Sequence, residues 1–188
     1  MAKTKNNIFM MGLSGTIGKQ MTLSQKAGDT IVGKKRGSSN IPATEEQLDI
    51  QSRFKIASIY ALAAISDPIT KAAYAAAAKS NQSAYNVALA DAFTPPEIVS
   101  IDTASFHGTA GDTVFIRAID YFKVVSVRVV IQDNAGLPLE VGDAVLQKNG
   151  LDWKYTIAST FPAGMATKIT VTAMDLPANQ TKKEVAVV

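Results

Sequence analysis

Leu151-Asp152-Trp153-Lys154-Tyr155-Thr156-Ile157 sets an apolar side chain at every second position, and Ile169-Thr170-Val171-Thr172-Ala173 repeats the pattern. Side chains of a strand point alternately to opposite faces, so each segment has one buried face and one wet face. Outward from these two, the same grammar predicts seven strands, at 98–102, 113–119, 124–132, 144–147, 151–158, 168–174 and 183–188. Turn residues fall between them in Ala110-Gly111-Asp112, Asp133-Asn134-Ala135-Gly136, Asn149-Gly150 and Pro177-Ala178-Asn179. Asn149-Gly150 suits a tight hairpin with positive φ at both central residues. Strands this short and this closely spaced predict a two-sheet sandwich with Trp153 and Tyr155 in its core.

The sandwich begins after Thr94-Pro95-Pro96-Glu97, where two prolines stop a helix and open an extended segment. That break sets the C-terminal domain at 97–188. Upstream, 44–94 reads as a helical module. Thr44 and Gln47 form a capping box, so a helix starts near Glu45; it carries Leu48, Ile50, Phe54, Ile56, Ala57, Ile59 and Leu62 and ends at Ser66-Asp67-Pro68. Asp67 then caps a second helix with Pro68 in its first position, and a third runs from Ser83 to Phe93 with Tyr85, Leu89 and Phe93 on one face. Residues 1–43 form a glycine-rich basic arm, in which 19–25 and 30–35 flank Ala27-Gly28-Asp29 as a β-hairpin. The fold class expected is therefore α+β: an N-terminal β-hairpin with a small helical module, then a seven-stranded sandwich.

Charge is distributed unevenly. The arm has Lys3, Lys5, Lys19, Lys26, Lys34, Lys35 and Arg36 against Asp29 alone, a net +6, whereas 44–97 carries −2 and 98–188 carries −1. Such a strip seeks phosphate or an acidic protein face, and it also reads as ordinary solvated surface. Lys34-Lys35-Arg36-Gly37-Ser38-Ser39-Asn40 has no neighbouring aromatic for base stacking, so any nucleic acid it held would be bound without sequence preference through backbone phosphates.

The chemistry of an active site is hard to assemble from this composition. With no cysteine and one histidine, His107, thiolate chemistry, the common zinc sites and most imidazole triads are excluded. Gly12-Leu13-Ser14-Gly15-Thr16-Ile17-Gly18-Lys19 fails as a phosphate loop, because Leu13 and Gln20 stand where a glycine and a Ser/Thr are needed. A general base at His107 would need Asp102 or Asp112 to orient its ring. Asp112, Asp120, Asp133, Asp143, Asp152 and Asp175 follow no calcium-loop spacing and suit turns for their own backbone hydrogen bonds. No enzyme activity, cofactor or metal is expected.

Two resemblances bear on function. The order Val127-Arg128-Val129-Val130-Ile131-Gln132-Asp133-Asn134-Ala135-Gly136, then Trp153-Lys154-Tyr155, then Thr170-Val171-Thr172-Ala173-Met174-Asp175 resembles bacterial Ig-like domains. The resemblance implies adhesion, spacing or docking, with packing around Trp153 replacing the absent cysteine pair. In the first half, Gly12-x-x-Gly15-x-x-Gly18, Gly33-Lys34-Lys35-Arg36, Asn40-x-Pro42-x-Thr44-Glu45-x-Gln47 and Arg53-Phe54-x-x-Ala57 are similar to small phage-like structural proteins encoded in Bacteroidetes genomes. This second resemblance implies a virion or assembly role.

The function expected is a non-enzymatic structural subunit, a phage virion or filament component that displays an Ig-like domain. A carbohydrate- or surface-binding accessory protein and a nucleic-acid-associated packaging protein are the alternatives. The expected partners are copies of the same chain or other structural proteins, and nonspecific nucleic acid through the basic arm. The contacts expected to carry assembly are Met21, Leu23, Ile31, Val32, Lys34, Lys35 and Arg36, offered along open strand edges. No apolar run approaches a membrane span, and none has the form of a signal peptide, so synthesis in the cytoplasm followed by assembly into a particle is expected.

Overall fold

The computed structural model describes residues 2–4, 8–26, 28–35, 37 and 41–187. The chain is α+β and divides into two compact units, 1–51 with 79–82 and 52–78 with 83–188.

In the first unit, β1 (Ala2–Thr4), β2 (Gly15–Ile17), β3 (Met21–Lys26) and β4 (Asp29–Lys34) form an antiparallel sheet in the order β1-β4-β3-β2. The lone hairpin expected from the sequence is thus corrected to a four-stranded sheet, in which β3 and β4 are the inner pair. Gly18 and Lys19 both have positive φ, and Gln20 N–H donates to Ile17 O at 3.1 Å, a primed turn whose twist matches the strands it joins. Strands β1 and β2 are three residues each, too short for an alternating pattern to reveal.

Three helices follow: α1 (Glu45–Ser66), α2 (Pro68–Ala77) and α3 (Ala84–Phe93). Their ends are set by side-chain caps. Thr44 Oγ1 accepts from Gln47 N–H while Gln47 Oε1 accepts from Thr44 N–H, at 3.3 and 3.2 Å. Asp67 Oδ2 takes both the amide and the hydroxyl of Thr70, and Ser83 Oγ accepts from Asn86 N–H. Each bond from a backbone amide satisfies a donor that the start of a helix leaves orphaned. In the second unit the helices bury Ala61, Ala64, Tyr74, Val87 and Ala88 around one centre, with Phe122 of the sandwich packed against it.

The rest of the second unit is two four-stranded antiparallel sheets. One has the order β5-β6-β10-β9, from β5 (Glu97–Asp102), β6 (Thr113–Ile119), β9 (Val145–Leu146) and β10 (Asp152–Thr156). The other has the order β12-β11-β7-β8, from β7 (Val124–Gln132), β8 (Pro138–Asp143), β11 (Lys168–Asp175) and β12 (Gln180–Ala186). Alternate residues of both sheets, among them Val114, Ile116, Val129, Trp153, Val171 and Ala173, enclose a common core.

Two expectations change here. The strands number eight instead of seven, because β8 was masked by Pro138, Gly142 and the carboxylates Glu140 and Asp143, which break its alternation. Asn149 does not take positive φ; Gly150 alone does, donating to Gln147 O at 3.0 Å while Asn149 Oδ1 accepts from the amides of Leu151 and Asp152. The β9–β10 connection is longer than two residues, so an ordinary turn closed by one left-handed glycine replaces the primed turn.

At one seam of the sandwich, β5 bulges between Ile98 and Ser100. The Lys183 ammonium, reaching from β12, donates to the carbonyls of Ile98 and Val99, both at 3.0 Å.

Candidate assembly interface

The sheet of the first unit buries few side chains. Among its described residues Leu23, 4% exposed, is the one buried apolar side chain, and Thr30 is the one buried polar residue. Ile8, Met11, Leu13, Ile17 and Met21 are exposed. A sheet needs an apolar face packed on something, and one leucine does not form a core.

The registers show which predicted contacts share a face. Leu23 pairs with Val32 and Met21 with Lys34, so these four lie on one face; Ile17, paired with Met21, joins them. Ile31 pairs with Ser24 and lies on the opposite face, with Lys3 of β1 beside it in register. The structure therefore brings together Met21, Leu23, Val32 and Lys34 and separates Ile31 from them. Lys35 is exposed, and its amide donates to Gln20 O at 2.8 Å. Arg36 lies outside the described residues. Ile17 was missed because β2 is too short to show its period. The open edges expected on the hairpin are occupied by β1 and β2, so the sheet's free edges belong to those short strands.

The residues considered for catalysis serve their own loops. Asp112 Oδ2 accepts from the amides of His107 and Thr109 at 2.6 and 2.9 Å, which holds its carboxyl below the ordinary value. The His107 ring is exposed, 4.0 Å from Asp112 Oδ1. Asp152 binds Arg117 at 2.7 Å, Asp143 binds Arg128 at 3.0 Å, and Asp133 accepts from Ala135 and Leu137 amides. Gly12, Gly15 and Gly18 all have positive φ and are the bends around β2. Among the described residues no three His, Cys, Asp or Glu side chains converge on a point that could hold a metal ion.

A buried polar cluster that sequence patterning did not reveal joins the helices to the sandwich within the second unit. Tyr74 Oη donates to Asp91 Oδ2 at 2.6 Å, and the Tyr60 hydroxyl lies 3.0 Å from that of Tyr74. Asp175 accepts from the backbone and side-chain amides of Asn179 at 2.6 and 2.8 Å. Asp91 is 0% exposed, and neither Asp91 Oδ1 nor Asp120 Oδ1 has an N–H or O–H partner. Burial, then the neighbouring carboxyl of Asp120, pushes the Asp91 pKa up to about 7 against the lowering effect of Tyr74. A proton kept on Asp91 supplies the hydrogen that its pairing with Asp120 requires. Apart from Asp175 and Asn179, which share a turn, these residues lie far apart in sequence, which is why no spacing pointed to the cluster.

No protein-family model and no curated protein matches the chain. Among solved structures, it is similar to an engineered protein at 18% identity, covering 55% of this chain and 25% of that one, with a TM-score of 0.31. It is also similar to a hypothetical protein from Pyrococcus horikoshii at 8% identity, covering 50% of this chain and 88% of that one, with the same TM-score of 0.31. The chain thus spans a quarter of the length of the engineered protein. Among the described residues no helix is long and apolar enough to cross a membrane.

Proposed function

We propose that the chain is a non-enzymatic structural subunit, a virion or particle component whose N-terminal unit assembles with other copies and whose C-terminal sandwich is an Ig-like display or docking domain. The observation that carries this reading is the N-terminal sheet that buries one leucine while exposing Ile8, Met11, Leu13, Ile17 and Met21. A chain that builds four strands and leaves their apolar faces in water gains by burying them on another copy, where roughly 25 cal/mol is recovered per Å². The Ig-like reading is supported by strand order. Lettering the eight strands of the sandwich A, B, C, C′, D, E, F and G in chain order gives one sheet of A-B-E-D and another of G-F-C-C′, the arrangement of immunoglobulin-type sandwiches.

Light scattering on the full chain and on a variant lacking residues 1–43 tests the proposal. The full chain is expected to form species whose mass grows with concentration, and the truncated chain, which keeps the Thr44 cap of α1, to stop at a small fixed mass. Continued growth of the truncated chain would refute an N-terminal connector.

A further inference from the structure

Two cores lie side by side in the second unit, and few groups join them. The sandwich core is drawn from 98–187, and the helical core is made of Ala61, Ala64, Tyr74, Val87 and Ala88. Among the described residues, Phe122 is the one sandwich side chain packed on the helical core, its ring centroid 4.5 Å from that of Tyr74. The side-chain amide of Asn179 adds a bond to the Ala92 carbonyl at 3.3 Å.

The remainder of this joint is acidic. Asp91 of α3, fully buried, gives one oxygen to the Tyr74 hydroxyl of α2 and pairs through the other with Asp120 of the loop between β6 and β7. Asp175, also buried, adds a third carboxyl from the end of β11, and Tyr60 of α1 bonds to Tyr74. The cations of the adjoining elements are engaged elsewhere. Arg53 of α1 donates to Phe93 O and lies over the Phe93 ring, and Lys183 of β12 holds the carbonyls of Ile98 and Val99. Lys123 gives Asp120 a backbone amide. An anion at Asp91 would also stand in the last turn of α3, where the helix dipole disfavours negative charge and no basic residue offsets it.

We propose that the carboxyl pair of Asp91 and Asp120 is a proton-operated latch: one shared proton holds the helical layer on the sandwich, and its loss lets the layer swing away about Thr94-Pro95-Pro96 with both cores intact. Two like charges cannot both ionise in a buried site without water or separation, and separation here breaks only one ring contact and the Asn179 bonds. The direction follows from linkage. Closed, Asp91 keeps its proton well above the ordinary carboxylate range, chiefly through burial; open and hydrated, it ionises within that range. Between the two values the closed state binds the extra proton, so the ratio of open to closed rises by up to ten-fold per pH unit, then levels off once the closed state ionises too. Asp175, raised by its own burial, slopes in the same direction. The latch is therefore shut by acid and loosened towards neutrality. It stands apart from the assembly reading, because none of its residues lies in the N-terminal sheet.

The chain contains no cysteine, so two spin labels can be placed at will, on Lys71→Cys of α2 and Lys182→Cys of β12, both exposed positions. Electron–electron distances are read in the full-length protein, diluted with unlabelled chain so that only pairs within one copy contribute. A single narrow distance is expected at pH 4.5, and at pH 8 a second, longer population whose ratio to the first has grown at least ten-fold, while the amides of β11 stay protected from hydrogen exchange at both values. Asp91→Asn, which offers an N–H to Asp120, should hold the narrow distance throughout, and Asp120→Asn, which supplies the N–H from the opposite side, should weaken the change. The same distribution at both pH values would overturn the proposal, as would equal growth of the longer distance in Asp91→Asn. Loss of β11 protection along with the new distance would mean that the whole unit unfolds and would overturn it as well.

Discussion

Asn179 donates its side-chain amide to the carbonyl of Ala92 at 3.3 Å, tying the turn between β11 and β12 to the last turn of α3. The same nitrogen donates to Asp175 Oδ2 at 2.8 Å. It satisfies a helix C-terminal carbonyl that has no partner within its own helix. Asn179→Asp replaces this donor with an acceptor facing a carbonyl and a carboxylate. It should therefore cost more stability than Asn179→Ala, by about 1 to 2 kcal/mol, in urea unfolding at pH 8. Equal midpoints for the two variants would show that the introduced carboxylate meets no repulsion at this joint, and an Asn179→Ala midpoint equal to the parent's would show that the amide contributes nothing across it.

The Asp91 carboxyl makes the joint sensitive to pH. Unfolded, it ionises near its ordinary value of 3.8; folded, it keeps its proton up to about 7. Between these values the folded state binds the extra proton, so the group's contribution falls as pH rises through the window and is flat above it. Asp175, raised chiefly by burial, slopes in the same direction. Asp91→Asn carries no titrating group and offers an N–H to the orphaned Asp120 Oδ1. Its unfolding midpoint should exceed that of the parent at pH 8 and lose that advantage by pH 4. Parallel curves for the two proteins over this range would contradict the shared proton.

Gly142 on β8 is required by the Tyr155 ring. A Cβ built at Gly142 would lie 2.6 Å from Tyr155 Cε2 and 2.7 Å from its hydroxyl oxygen. That hydroxyl donates to Glu140 Oε1 at 2.6 Å, and Glu140 also accepts from the amides of Ala158 and Ser159, both at 2.9 Å. Burial pushes the Glu140 carboxyl up, but these bonds hold it below its ordinary value. Gly142→Ala should displace the ring and release the 158–159 loop, at a cost of about 1 to 3 kcal/mol. Hydrogen exchange at the amides of Ala158 and Ser159 should accelerate; unchanged exchange would show that the ring relocates without breaking the bond to Glu140.

The core of the sandwich draws all of its buried residues from 98–187. A fragment of residues 97–188 is expected to fold by itself with a cooperative melt, and Trp153→Ala within it to lose about 3 to 5 kcal/mol. A collapsed amide spectrum for the fragment would mean that Phe122, packed on Tyr74 with ring centroids 4.5 Å apart, needs the helices to hold its loop.

Legibility in the sequence followed the range of the interactions. The helix ends at Thr44, Asp67 and Ser83 were readable because a cap is written within three residues of itself. The strands around Trp153 and Val171 were readable because burial on one face imposes period two. Strand β8 hid because its polar residues are recruited by distant groups, Glu140 by the 158–159 loop and Asp143 by Arg128. Met21, Leu23 and Val32 were picked out for assembly by apolarity alone, but the face each occupies is set by register, and the register by turns whose φ values no composition encodes. The Asp91 cluster was illegible in the sequence, since Tyr60, Tyr74, Asp91, Asp120 and the Asp175–Asn179 turn come from five separate segments.

The Lys183 ammonium gives the sandwich a polarity of stickiness. By closing the bulge of β5 from β12, it blunts the β5 rim, and two further rims end in the two-residue β9 and in β8, which opens on Pro138. Short, bulged or proline-led rims deny an incoming chain a ladder to extend. A domain so finished can be concentrated without zipping to its neighbours. Neutralising that single cation, by acetylation or by Lys183→Gln, would release the Ile98 and Val99 carbonyls and leave the β5 edge open to pairing.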